Sequence, residues 1–294
     1  MIDQPRIALI TGANKGIGRE VARQLGHAGL HVLLGARDLQ AGEATAAVLV
    51  EEGVDTRAVH IDLDDPAGIA ALAASIDAEH GRLDILVNNA GIVAEGDGPP
   101  ETADLAAARR IFEVNFFGTL AVTQAMLPLL RRGRSPRIVN VSSSLGSIAL
   151  NADPAWQYAA VKLTGYNASK AALNMLTVQL AATLSDVGIK VNAANPGYTA
   201  TDLNGHAGHQ TIEQGAEAAV RLALLPDDGP TGGFFSADGP EPWGIRAKPP
   251  CAPGPCPATR APGAALRRSR ARSCPRRPPR ARPAPQPTRT LRPG

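Results

Sequence analysis

The chain has 294 residues, 44% of them hydrophobic, with 30 Lys and Arg against 27 Asp and Glu for a formal net charge of +3. That charge is unevenly placed: 13 of the basic residues and no acidic one lie from position 244 on, so residues 1–243 carry 17 basic against 27 acidic groups. An acidic body excludes a nucleic-acid-binding core, its lack of cysteine (Cys251, Cys256 and Cys274 are all in the tail) excludes a disulfide or thiol nucleophile there, and six scattered His residues lack metal-ligand spacing.

In chain order, residues 6–11 read as a short apolar strand, and residues 17–28 carry helical spacing that closes at Gly29. Residues 31–36 read as the second strand, followed by an Ala-rich helix over about 38–52. Strands over 56–61 and 84–88 flank a helix over 66–80. A long helix is predicted over roughly 104–132, a strand over 137–141, a helix over 169–185, a strand over 190–194, a helix over 212–225 and a last short strand over 233–235. Strands alternating with helices require right-handed crossovers and a parallel sheet covered on both faces. The expected fold class is therefore α/β: a single doubly wound Rossmann-fold domain with a seven-stranded parallel sheet over residues 1–243. Residues 244–294 hold 13 of the chain's 25 prolines and no apolar periodicity, and a disordered Pro/Arg-rich tail is expected there. No apolar run approaches the ~20 residues that cross a bilayer. The first strand leads straight into a motif with no room for a signal peptide, so a cytoplasmic location is expected.

In such a sheet the ligand lies beyond the carboxyl ends of the strands. Motifs at 11–18, 88–91, 140–143 and 195–197 each fall at a strand end and converge on one edge. Thr11-Gly-Ala-Asn-Lys-Gly-Ile-Gly18 has glycines spaced GxxxGxG, which permits a tight turn and close backbone approach ahead of a helix whose free N–H groups favour phosphate. A tight loop alone uses such glycines too; the position after the first strand favours the phosphate reading. Gly12, Asn14, Lys15, Gly16, Ile17 and Gly18 are its candidate contacts. Arg37 stands after the second strand, where NAD-binding sheets present an acid to the ribose 2′-hydroxyl; an Arg there accommodates a 2′-phosphate. With Lys15 as a second cation this favours NADPH/NADP over NADH, although Asp38 is adjacent. Asp62, with the Leu63 backbone, is a candidate adenine contact and also a candidate helix cap before Pro66. In Asn88-Asn89-Ala90-Gly91, small residues let a cofactor lie on the backbone while Asn side chains brace strand ends; Asn89, Ala90 and Gly91 are the contacts proposed. Tyr166-Asn-Ala-Ser-Lys170 puts a phenol and an ammonium one helical turn apart. A nucleotide cradle plus a Tyr able to donate a proton implies hydride chemistry on a carbonyl or alcohol.

On these residues, together with Asn115, Asn140-Val-Ser-Ser-Ser144 and Asn195-Pro-Gly197, the chain resembles the short-chain dehydrogenase/reductase family over about residues 5–243, in particular its NADPH-dependent carbonyl-reductase-like branch. The resemblance implies a catalytic set of Asn115, Ser143, Tyr166 and Lys170. Tyr166 would be the acid in reduction and the base in oxidation, with the Lys170 charge and an oxidised nicotinamide lowering its pKa from ~10. Lys170 would also hold the nicotinamide ribose, Ser143 would polarise the substrate carbonyl, and Asn115 would hold a water that feeds protons to Lys170. The family places its Ser three residues before a Gly, so Gly146 selects Ser143 over Ser142 and Ser144. Tyr158-Ala-Ala-Val-Lys162 is a second YxxxK match; it is set aside because Gly165 separates it from the helix that runs on to the next strand, which leaves residues 145–165 as an insertion over the site. Pro196 and Gly197 would turn the chain beside the nicotinamide, with Thr199 and Thr201 against its carboxamide through backbone contacts. Residues 202–210 would form a flap containing His206 and His209.

The function implied is reduction of ketones and aldehydes to alcohols, with Leu145, Ile148, Leu150, Trp156 and Tyr198 as candidate walls for a small hydrophobic carbonyl substrate. The alternatives are a non-catalytic NADP-sensing Rossmann protein, which would lack the Tyr or Lys, and an NAD-dependent alcohol dehydrogenase, against which Arg37 argues. The resemblance implies a homo-oligomer through the long central helices; members with a large insertion before the catalytic Tyr can be monomeric, and this insertion is modest. The tail is read first as a passive extension and second as a tether that binds polyanions such as nucleic acid weakly.

Overall fold

The structure, a computed structural model, describes residues 4–244. The expected tail lies outside them save for Gly244. Among the described residues, eight strands and eight α-helices follow in the order β1 (Ile7–Ile10), α1 (Gly16–His27), β2 (His31–Ala36), α2 (Leu39–Glu51), β3 (Thr56–His60), α3 (Pro66–His80), β4 (Ile85–Asn88), α4 (Leu105–Phe112), α5 (Thr119–Leu130), β5 (Arg137–Val141), α6 (Ile148–Asn151), α7 (Thr164–Thr183), β6 (Lys190–Ala194), α8 (Ile212–Ala223), β7 (Phe234–Ser236) and β8 (Gly239–Pro240). Strand order is β3-β2-β1-β4-β5-β6-β7-β8, and every pairing is parallel except the last.

The seven expected strands, β1 to β7, are all present and paired in parallel, and β8 adds an eighth strand at the edge. Beyond Ser236 the chain doubles back through Gly239 (φ +131) and pairs antiparallel with β7, with Phe235 opposite Pro240. Two residues, one of them Pro, carry no strand signal, and Pro is tolerated at an edge because the ladder there needs no donor from it. The long helix predicted over 104–132 is three pieces, with a π-helical turn, Glu113–Gly118, between α4 and α5. α7 starts at Thr164, five residues before the predicted start, and Gly165 lies inside it.

Alternation along the strands sorts the core into two layers. Ala8, Ile10, Val32, Leu34 and Val87 face Val21 and Leu25 of α1, Leu49 of α2 and Leu222 of α8. Ile7, Leu9, Leu33, Leu86 and Val191 face Ile69 and Ile76 of α3, Val122 and Met126 of α5, and Ala181 of α7. Order reverses between β1 and β4, where helices leave for opposite faces and a crevice opens past the strand ends.

The π-turn brings Gly118 so close to Leu63, beside that crevice, that an added Cβ would stand 2.7 Å from Leu63 Cβ and 2.8 Å from its carbonyl oxygen. Gly118→Ala is expected to lower unfolding free energy by about 1–3 kcal/mol, read by urea denaturation; wild-type stability would mean that α5 and Leu63 are free to part.

Candidate active site

A cleft of about 570 Å³ occupies the crevice. Its floor is the Gly-rich turn. Gly12 (φ +63) and Gly16 (φ +56) adopt the left-handed conformation that side chains resist. The turn is locked to β4: Thr11 Oγ1 accepts from Asn89 N and Ala90 N, each at 3.0 Å, and Asn89 Nδ2 donates to the carbonyls of Thr11 and Gly12, each at 3.0 Å. Asn89 thus braces the turn as well as bordering the cleft. α1 opens on Lys15 without a side-chain cap and has no acid in its first turn, so its leading N–H groups and positive end face the cleft uncompensated. That arrangement fits a pyrophosphate.

At the far end Arg37 is exposed and borders the cleft. Asp38 caps α2, accepting from Ala41 N at 3.1 Å, which turns its carboxylate to the helix. Asp62 accepts from Asp64 N at 3.1 Å, while Asp65 occupies the N-cap position of α3. Arg110 of α4 also lines this end, held in a two-bond pair with Asp64 at 2.7 and 2.6 Å. The pair holds the Asp64 carboxyl below its ordinary range, first through the hydrogen bond to Arg110. The sequence reading missed Arg110 and Asp64, since nothing local to either position signals a partner 46 residues away.

Tyr166, Lys170 and Ser143 meet at the other end. Tyr166 is 8% exposed and Lys170 4%, on one face of α7, with the ammonium 5.7 Å from the centre of the phenol ring. Lys170 Nζ donates to the Val141 carbonyl at 2.8 Å. Burial pushes this amine down to about 8. Burial also pushes the phenol up to about 12, against a smaller opposing pull from the Ser143 hydroxyl. The expected downward direction includes the charge of an oxidised nicotinamide; in the protein alone, desolvation, which opposes phenolate, is the larger influence.

The three serines separate cleanly. Ser142 turns inward to Asn174 Oδ1 at 2.6 Å, Ser144 offers its backbone N–H to Asn195 Oδ1 at 3.2 Å, and Ser143, whose Oγ accepts from Leu145 N at 3.2 Å, is the serine beside the Tyr166 phenol. Gly146 has a packing reason: a Cβ there would press on the backbone of Lys170, so the loop after β5 could not lie on α7. Asn115, fully buried in the π-turn, accepts from Ile92 N at 2.8 Å and donates to Ile92 O at 3.0 Å and Ser169 Oγ at 3.1 Å. A Cβ added at Gly91 would stand 3.3 Å from its Oδ1 and 3.4 Å from Lys170 Nζ, so the two side chains share this corner.

Fifteen of the sequence candidates border the cleft: Gly12, Asn14, Lys15, Gly16, Ile17, Gly18, Arg37, Asp62, Leu63, Asn89, Ala90, Gly91, Tyr166, Lys170 and Thr201. Asn115, Ser143, Pro196, Gly197 and Thr199 do not line it. Thr199 is 3% exposed, its hydroxyl donates to Pro196 O at 2.8 Å, and its carbonyl accepts from Asn204 Nδ2 at 2.9 Å. The flap crosses back over the cleft, where Asp202 bonds Lys15 at 2.6 Å and His206 at 2.9 Å. Lys15 is thereby paired with the flap. Tyr158 lies outside α7, its ring against Trp156 and Tyr198, and Tyr198 in turn meets His209; this row joins the insertion to the flap.

A family model described as short chain dehydrogenase matches residues 6–211. The chain is 33% identical to (+)-neomenthol dehydrogenase of Capsicum annuum over 301 aligned residues, covering 78% of this chain and 95% of that protein. It is 33% identical to carbonyl reductase (NADPH) 1 of Mus musculus, covering 81% and 98%. The solved structure of an NADPH-bound carbonyl reductase from chicken fatty liver superposes with a TM-score of 0.71 at 27% identity, covering 82% of this chain and 100% of that one.

With the phenol near 12, a spectrophotometric titration of native protein should show no phenolate from Tyr166 up to pH 10, so that wild type and Tyr166→Phe give the same curve. A wild-type-only phenolate signal near neutrality would contradict the burial argument.

Proposed function

Because the chain belongs to the short-chain dehydrogenase family, we propose that its cleft holds NADPH and that Ser143, Tyr166 and Lys170 act on a carbonyl beside the cofactor, supported by Asn115. The enzyme is an NADPH-dependent oxidoreductase that reduces ketones and aldehydes to alcohols. The observation that carries the residue roles is a buried phenol and a buried amine on one face of α7, with Lys170 Nζ 5.7 Å from the centre of the Tyr166 ring and Ser143 beside the phenol.

When bound, NADPH supplies the hydride. The chain's residues do the rest. The turn at Gly12–Gly18 and the start of α1 bind the pyrophosphate, and Arg37 meets the 2′-phosphate, with Arg110 at the same end but paired to Asp64. The Ser143 hydroxyl orients and polarises the substrate oxygen. Tyr166 delivers its Oη proton to that oxygen as negative charge develops on it. A phenol near 12 suits this direction, since it remains protonated until the alkoxide demands the proton. Lys170 stabilises the phenolate left behind and, through its place beside Gly91, reaches toward the cofactor ribose. Asn115 fixes Ile92 and Ser169 around this corner, which is a positioning role for its side chain. The aromatic row Trp156, Tyr158, Tyr198 and His209 joins the insertion to the flap, and the likeness to a neomenthol dehydrogenase supports hydrophobic ketones as substrates.

The test follows NADPH and NADH consumption over a panel of hydrophobic ketones and aldehydes. Wild type should prefer NADPH, and Arg37→Asp should narrow or invert that preference. Tyr166→Phe should lower kcat by about 10²–10⁴-fold while NADPH Kd stays within about twofold. Full turnover in Tyr166→Phe with loss in Tyr158→Phe would overturn the assignment.

A further inference from the structure

We propose that Asp97 is a positioning residue for the reduction: its carboxylate, reaching across from the loop after β4, caps the helix that presents Tyr166 and ties the phenol to the segment that lines the cofactor cleft. The inference rests on Tyr166 being the proton donor.

A helix leaves its leading N–H groups without partners, and a polar side chain at the N-cap ordinarily takes one or two of them. α7 has Leu163 at that position, which offers none. Its opening donors are nonetheless all bonded. Thr164 N and Thr164 Oγ1 both donate to Gly98 O, at 3.0 and 2.7 Å. Gly165 N donates to Asp97 Oδ1 at 2.7 Å and Tyr166 N to Asp97 Oδ2 at 2.9 Å. Asn167 N then starts the regular ladder on Leu163 O at 2.8 Å. One carboxylate, 68 and 69 residues away in the chain, uses both oxygens on consecutive amides, one of them Tyr166's own. The lengths are those of charge-assisted bonds, and the negative charge sits at the positive end of the helix.

The loop that carries Asp97 is itself anchored. It leaves β4 through Ile92, whose N–H and C=O are both held by Asn115, and Ile92 and Val93 line the cleft. Asp97 N bonds Ala94 O at 3.2 Å, and Asp104 N bonds Gly96 O at 2.9 Å. A single stretch of chain therefore touches the cofactor cleft at one end and the backbone of Tyr166 at the other. Hydride and proton must reach the same carbonyl, and this stretch sets the distance between their sources. A misplacement of about 1 Å is enough to slow such a transfer by about 100-fold.

The experiment compares Asp97→Ala, Asp97→Asn and Asp227→Ala in the full chain. Asp227 pairs with Arg137 at the opposite end of the sheet and serves as a destabilised control. Asp97→Ala should lower kcat for ketone reduction by about 10–100-fold with NADPH Kd within about twofold, and should speed amide exchange at residues 164–167. Asp97→Asn, which keeps one acceptor oxygen, should recover a large part of kcat. Asp227→Ala should lower Tm without lowering kcat. Wild-type kcat in Asp97→Ala, unchanged exchange at 164–167, or an equal kcat loss in Asp227→Ala would each overturn the proposal. Full turnover in Tyr166→Phe would separately remove the donor assignment, and the exchange measurement does not depend on that result.

Discussion

Everything at this site is arranged around one amine taken out of water. Lys170 is 4% exposed, with Nζ on the Val141 carbonyl at the end of β5, and burial brings it to about 8. A buried ammonium is tolerated only where fixed dipoles and neighbours compensate it. The fold supplies those by bringing α7 against the ends of β4 and β5, with Gly146 and Gly91 leaving room for the close approach. The same burial that lowers the amine raises the phenol, so both groups on this helical face are driven toward their own neutral forms. Burial thus favours the protonated phenol.

Beneath the amine runs a buried polar chain. Asn88 Nδ2 donates to Thr123 Oγ1 at 3.0 Å and Asn140 Oδ1 at 2.9 Å, and Asn140 Nδ2 donates to Thr177 Oγ1 at 2.8 Å. These bonds link β4, β5, α5 and α7, the elements that carry the proposed chemistry. In a low-dielectric interior such bonds are strong, while Asn88 Oδ1 itself is buried without a hydrogen-bond partner among the described residues. Thr11 and Asn89 do the corresponding work between β1 and β4, so the phosphate turn and the Tyr–Lys face are set by the same strand ends.

The features legible in the sequence were those written locally. β2, α3, β5 and β6 match the predicted bounds because apolar runs and caps sit beside each other in the chain. The Gly-rich turn and Tyr166–Lys170 were legible for the same reason. What escaped depends on partners far away. The start of α7 was placed late because its cap is Asp97, 68 residues upstream, and not a residue next to it. Arg110 was overlooked because its role depends on Asp64, and β8 because two residues including Pro pair only when a turn returns them to β7. Ser143 was reached through the spacing to Gly146, and the packing of Gly146 on α7 is the physical content of that spacing. The upward shift of Tyr166 comes from burial by the whole fold, which no local stretch of sequence displays.

The measurement closest to the central claim is the pH dependence of the single-turnover rate of NADPH oxidation with a good ketone. The Tyr166 proton is retained far above neutrality, so the first group to titrate on the alkaline side is Lys170. Its charge stabilises the phenolate that forms, and losing that charge slows the transfer. The rate should therefore fall as pH rises through about 8. A rate that stays flat to pH 10 would show that the charge of the buried amine does not govern the transfer.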